Sequence, residues 1–246
     1  MKIFNKACFG LLLAASAMST PAVAQDAPSG PITVSGDVSL VSDYRFRGIS
    51  LSNEKVEVQG GLTVSHESGF YVGTWASGLP DSPTYGKVEV DLYGGFATEI
   101  APGTSIDIGA IYYWYPDGSF GPSDYAEVTG KLTHEIGPVA VEGLVAYAPS
   151  QNALGNDDNV YLNLGLSGGI PNTPVTLMAG LGYTDGSLGA ASADGNYLDW
   201  MVGASFAAGP ATVSVQYIDT DIGKTGIKAV DTLYDPTVVF TLGFSF

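Results

Sequence analysis

Histidine and cysteine are nearly absent from this chain, bases are scarce, and no apolar run is long enough to cross a membrane as a helix, which needs about 18 such residues. The one cysteine, Cys8, lies in an N-terminal segment expected to be removed, so a small fold stapled by disulfides is excluded. The two histidines, His66 and His134, each sit in a His-Glu-turn context and supply neither a tetrahedral zinc ligand set nor convincing material for a lipase-like Ser–His–acid site. Nine Lys and Arg face 25 Asp and Glu. That balance repels polyanions and leaves no nucleic acid among the expected partners. Charged residues are only 14% of the chain, against about 25–35% for a water-facing surface. A hydrophobic share of 45% nevertheless argues against a disordered acidic chain.

The N-terminus reads as an export signal. Lys2 and Lys6 precede the apolar run from Ala7 to Ala17, and Ala22-Val23-Ala24 is a small-x-small cleavage site. A signal peptide is therefore expected over 1–24, a short periplasmic leader over 25–31, and a single domain over 32–246. Cleavage removes two bases and no acid, taking the formal net charge from −16 to −18.

From residue 32 onward, apolar side chains alternate with small or polar ones in twelve successive segments. The first carries Val34, Val38, Leu40, Tyr44 and Phe46; the last carries Val238, Phe240, Leu242, Phe244 and Phe246. In the third, Phe70 and Val72 compete with Tyr71 and Trp75 for the same face. Period two is the signature of a strand with two different faces, and most segments match the about 9–11 residues a tilted strand needs to cross a bilayer. Tight turns such as Glu67-Ser68-Gly69, Ala101-Pro102-Gly103, Gly137-Pro138 and Ala208-Gly209-Pro210 alternate with polar loops near 47–54, 78–85, 116–123, 148–158, 184–196 and 219–234. The pattern predicts an all-β, up-and-down antiparallel transmembrane β-barrel of twelve strands with both termini on the periplasmic side.

The apolar register carries no Asp, Glu, Lys or Arg, as a lipid-facing surface requires, whereas the other register is rich in Gly, Ser and Thr, among them Gly61, Thr63, Gly180, Gly182 and Gly243. Tyr44, Phe46, Tyr112, Trp114, Tyr147, Tyr183, Trp200 and Tyr217 are expected to form an aromatic girdle toward the long loops, with Phe96, Phe206 and Phe246 toward the turns.

The polar register should line a lumen with nine acids, Asp37, Asp43, Glu57, Glu89, Asp91, Asp107, Glu127, Glu142 and Asp199, and four bases, Arg45, Arg47, Lys87 and Lys131. Such charges can pair into a brace that closes the barrel, or line a wet path that selects ions by sign. With acids in excess, a conducting path should prefer cations. The expected activity is passive diffusion of small hydrophilic solutes or ions across a Gram-negative outer membrane, with outer-membrane lipid as a partner, no cofactor and no catalysis. A structural or adhesive barrel closed by salt bridges is the alternative, and a lipid-modifying barrel enzyme a weaker one. The terminal strand ending in Phe246 resembles the signal read by the barrel-assembly machinery.

The segment VSLVSDYRFRGISLS at 38–52, with GGLTVSHESGFYVGTWAS at 60–77 and DLYGGFATEI at 91–100, resembles the TorF-type porin family of proteobacteria, once catalogued as a domain of unknown function. The likeness is sharpest in the first third of the chain. It implies an outer-membrane β-barrel with porin function and brings no catalytic or ligand residues. Asp43, Arg45 and Arg47 fall in its most specific stretch and are expected to cluster at the outer end of the first hairpin.

Overall fold

The structure is a computed structural model and describes residues 30–246. The expected signal peptide and the leader up to residue 29 lie outside the described residues.

The period-two segments become strands: β1 (Ile32–Val41), the short β2 (Arg45–Phe46) and β3 (Ile49–Ser50), β4 (Glu57–His66), β5 (Phe70–Ser82), β6 (Gly86–Ala101), β7 (Thr104–Trp114), β8 (Tyr125–Ile136), β9 (Val139–Gln151), β10 (Asp157–Gly169), β11 (Val175–Gly186), β12 (Asn196–Ala208), β13 (Ala211–Thr220) and β14 (Thr237–Ser245). A single helical turn, α1 (Lys228–Asp231), sits in the last loop. Twelve of the strands close an antiparallel barrel in which each pairs with its sequence neighbour and β1 pairs with β14, Leu40 opposite Leu242 and Val38 opposite Phe244. Closure leaves no edge strand in the barrel. The remaining pair, β2 and β3, forms a separate two-stranded ribbon.

The outer surface is apolar. Val34, Val38, Leu62, Ile108, Val128, Leu164, Leu181, Val202, Val213 and Phe240 all point away from the barrel and are exposed. An apolar belt of this extent around a whole sheet is stable in hydrocarbon and not in water. In β5 the competition is resolved with Phe70 and Val72 outward and Tyr71 and Trp75 buried inside. Tyr112, Trp114, Tyr147 and Tyr217 lie exposed on the outside near the long-loop end, and Tyr112, Tyr147 and Tyr217 hand their hydroxyls to Asp124, Asp158 and Asp219.

Two expectations about strand and loop limits fail. Tyr44 and Phe46 belong neither to the first barrel strand nor to the girdle, because β1 ends at Val41 and the chain then folds inward. Tyr44 is fully buried, edge-on to Trp75 with ring centroids 5.5 Å apart. The loop expected at 78–85 shrinks to residues 83–85, because β5 and β6 continue as a tall hairpin beyond an irregularity between Gly78 and Ser82.

Candidate functional site

The interior of the long-loop half is occupied by the chain's own first loop. β2 and β3 are joined by Arg47 and Gly48, both left-handed at φ 50° and 83°, the geometry of a two-residue type I′ hairpin. Glycine takes this conformation without penalty; arginine does so at a cost of about 1–2 kcal/mol. A Cβ at position 48 would also crowd the side chains of Thr220 and Asp199 on the wall, so the hairpin tip approaches closely only because Gly48 has none.

Side-chain bonds hold this hairpin. Asp43 accepts from Arg45 Nε at 2.6 Å, from Ser50 Oγ at 2.6 Å and from Ser52 Oγ at 2.8 Å. Arg45 also donates to the carbonyl of Gly48 at 2.9 Å. At the tip, Arg47 Nη2 lies 2.7 Å from each carboxylate oxygen of Glu127 on β8. Its guanidinium is 4.4 Å from the Tyr161 ring centroid and 4.6 Å from that of Phe46, within cation–π range. Tyr113 donates to the same Glu127 at 3.0 Å and stacks on Tyr125 at 4.5 Å. Tyr197 donates to the Arg47 carbonyl at 3.1 Å.

The charged residues expected in the lumen divide into four groups. Glu89, Asp91, Glu127 and Asp199 project inward from β6, β8 and β12 and are buried. Asp43, Arg45 and Arg47 are buried too, but on the inward loop and not at an outer hairpin end; Asp43 and Arg45 pair with each other while Arg47 reaches across to Glu127. Nearer the short-turn end, Asp107 accepts from Tyr71 at 2.7 Å, Lys131 lies 3.6 Å from Glu142, and Asp37 is half-buried. Glu57 stands half-buried at the start of β4. Lys87 is the exception: at the tip of the tall β5–β6 hairpin its inward register no longer has a barrel to enclose it, and its exposed ammonium meets Asp81 at 3.3 Å.

Charge in the packed half does not balance. Asp43 has Arg45 and Glu127 has Arg47, whereas Glu89, Asp91 and Asp199 have no cationic partner within 4 Å among the described residues. One oxygen of each of these three carboxylates is buried without a hydrogen-bond partner, as is Arg47 Nη1. Burying charge in that state is costly. The histidines are apart from all this: His66 bonds Ser68 at 2.7 Å and His134 bonds Thr104 at 2.8 Å, both exposed at the short-turn end.

A closed twelve-stranded up-and-down barrel with an apolar belt and a polar, partly filled interior is the architecture of porin-like barrels. The chain belongs to the Gcw_chp family, described as bacterial proteins of unknown function, whose model matches residues 25–246. No curated protein matches it in sequence. Among solved structures it is similar to the KdgM porin (TM-score 0.58, 9% identity, covering 86% of this chain and 98% of that one). The NanC porin is equally similar (TM-score 0.58, 12% identity, 87% and 99%). A second KdgM structure, in complex with disordered oligogalacturonate, matches at TM-score 0.58 and 9% identity over 86% and 98%.

Proposed function

We propose that the protein is an outer-membrane, porin-like channel for small hydrophilic solutes or ions, with a preference for cations and with no cofactor or catalytic step. The observation that carries this reading is the uncompensated charge in the long-loop half of the interior: five buried carboxylates, Asp43, Glu89, Asp91, Glu127 and Asp199, face two buried bases, Arg45 and Arg47, and Asp107 adds a sixth buried carboxylate nearer the short turns. Inside low-dielectric walls such an excess raises the local concentration of cations and depresses that of anions. In this reading the long loops face outward, the termini lie in the periplasm, residues 1–24 leave as a signal peptide, and residues 25–31 form a short leader. The resemblance to TorF-type porins and the fold shared with KdgM and NanC support the channel assignment. The ligand seen with KdgM, an oligogalacturonate, is a polyanion, and the acid-rich interior here suits the opposite charge.

The same interior favours a second reading. Tyr44, Tyr113, Glu89 and Glu127 are essentially inaccessible to water, and the inward hairpin fills the long-loop half. In that reading the barrel is structural or adhesive, permanently closed by its own loop. Reversal potentials of the refolded protein in planar bilayers under a KCl gradient separate the two. Small cation-selective steps support the channel, silence supports the plug, and anion selectivity in dilute salt refutes the lumen assignment.

A further inference from the structure

The cage around Arg47 encloses a flat organic cation, the chain's own guanidinium. A carboxylate, Glu127, lies against one guanidinium nitrogen, the Tyr161 ring covers the plane of the group, and Tyr113 orients the carboxylate from the side. Tyr161 is itself fixed, donating to Asp199 at 3.3 Å and accepting from Asn163 Nδ2 at 3.2 Å. Gly182 on β11 makes room for this arrangement, because a Cβ there would meet Asp199 and the Tyr161 hydroxyl. Apart from the Phe46 ring, which arrives with the hairpin, the cage residues stand on β7, β8, β10, β11 and β12, so it persists without the hairpin.

Its occupant is held incompletely. Arg47 sits at φ 50°, where non-glycine residues are strained, and its Nη1 is buried with no acceptor. In place of the one nitrogen that Arg47 shares between both oxygens of Glu127, a free guanidinium bearing no left-handed backbone could turn two N–H groups toward them, one to each, since planar cations of this kind pair with carboxylates through two parallel bonds.

We propose that Arg47 is a tethered stand-in for a solute, and that the wall site of Glu127, Tyr161, Tyr113 and Asp199 binds guanidinium-bearing or similarly flat organic cations. A solute that takes the cage displaces the hairpin tip from the lumen, so the cargo competes with the plug. The inference rests on the channel reading for the route by which solute reaches the cage; the site itself does not depend on conduction.

The test is chemical rescue of Arg47→Ala, refolded in detergent and followed by thermal unfolding on the heat-modified gel shift. The probe is ethylguanidinium, with ethylammonium and potassium at equal ionic strength as controls. The variant is expected to melt several degrees below the wild type, ethylguanidinium to restore at least half the loss, and ethylammonium and potassium much less. The wild type, whose cage Arg47 already fills, should respond only at higher ethylguanidinium, where the solute has to compete with the tethered group. Adding Glu127→Gln to the variant should abolish rescue. Absent rescue, rescue matched by ethylammonium or potassium, or rescue that survives Glu127→Gln overturns the proposal. Should Arg47→Ala fail to fold, Arg47→Gln, which keeps the Cβ–Cδ stem and a polar end without the charge, carries the same test. A silent bilayer alongside a positive rescue would refute the channel and leave the site, and conductance without rescue would do the reverse.

Discussion

Replacing Glu127 with Gln tests what holds the first loop inside the barrel. The change keeps the side-chain shape but leaves Arg47, buried with only 5% of its side chain exposed, without its counter-charge. Removing one partner of a buried ion pair costs about 3–5 kcal/mol. The barrel cannot relieve that cost, because its wall is fixed by backbone ladders around the full circle. The hairpin tip can, by moving Arg47 toward water. If about 3 kcal/mol of the cost falls on the docked state, the ratio of docked to undocked tip drops by roughly a hundredfold. The base of the loop should stay tethered, since the Ser50 N–H bonds the Leu233 carbonyl at 2.9 Å, while a displaced tip opens the lumen beside the Tyr44–Trp75 contact to water and small solutes.

Trp75 is a ready reporter. It is buried inside, whereas Trp114 is exposed on the outer surface and Trp200 shares that outward register. With Trp114 and Trp200 changed to Phe, acrylamide quenching reads the interior alone. Glu127→Gln should increase quenching of Trp75 and the frequency or size of conductance steps, while the strand content is unchanged. Arg47→Ala with Glu127→Ala should be less destabilised than the sum of the single changes, because it removes both charges together. Unchanged quenching and unchanged conductance in Glu127→Gln would show that the ion pair does not hold the tip.

Three further outcomes are expected. Glu89→Gln with Asp91→Asn removes two buried carboxylates that lack cationic partners, so cation preference measured by reversal potential should fall while thermal stability holds or rises; a loss of stability with no conductance to alter would favour the closed barrel. Deleting Phe246 should lower the yield of heat-modifiable barrel in membranes, since its backbone N–H closes onto the Gly36 carbonyl and the Gly36 N–H bonds back at 2.9 Å each, and an unaltered yield would reduce Phe246 to one more lipid-facing ring. In the last loop, the Thr225 hydroxyl, and after it the backbone N–H groups of Thr225 and Gly226, hold the Asp231 carboxyl below its ordinary range; the loop order this supplies is present at neutral pH and is lost as the pH falls through the lowered value, so the protection of the Thr225 and Gly226 amides, taken relative to their intrinsic exchange at each pH, should fall in acid for the wild type and already at neutral pH in Asp231→Asn.

The barrel was legible because its two faces meet different media. Lipid tolerates no charge and the interior tolerates little bulk, so a period of two reports the face directly, strand after strand. The rule broke where the chain left the wall. Tyr44 and Phe46 continue the alternation of Val38 and Leu40 in phase, and nothing in that periodicity reveals that the strand has ended. The available signal was local: Arg47-Gly48 between two short extended pairs fits a two-residue hairpin whose second position is glycine. Lys87 failed for the complementary reason, since register gives direction but not height, and above the barrel rim an inward direction points into water. The pairing of Arg47 with Glu127, 80 residues apart, follows from closure of the barrel and could not be read before the strand order was known.

The inward loop makes an acid-rich interior costly. The five buried carboxylates of the long-loop half would, in an empty lumen, be hydrated and repel one another only weakly through water. Packed around a protein hairpin they lose that hydration, and the two arginines can offset only two of them. Glu89, Asp91 and Asp199 therefore disfavour the packed state relative to an open, wet one, while Tyr44, Phe46 and the Arg47 latch favour it. A loop meant only as a permanent stopper would gain from neutral wall residues at 89, 91 and 199, where an apolar contact costs less than an unpaired charge. Charge there sets the closed form against an open one in which the same carboxylates face water. The balance should tilt with those three residues: neutralising them one at a time should progressively lengthen the closed intervals in single-channel records. Closed times that are indifferent to all three changes would remove the case for a poised loop.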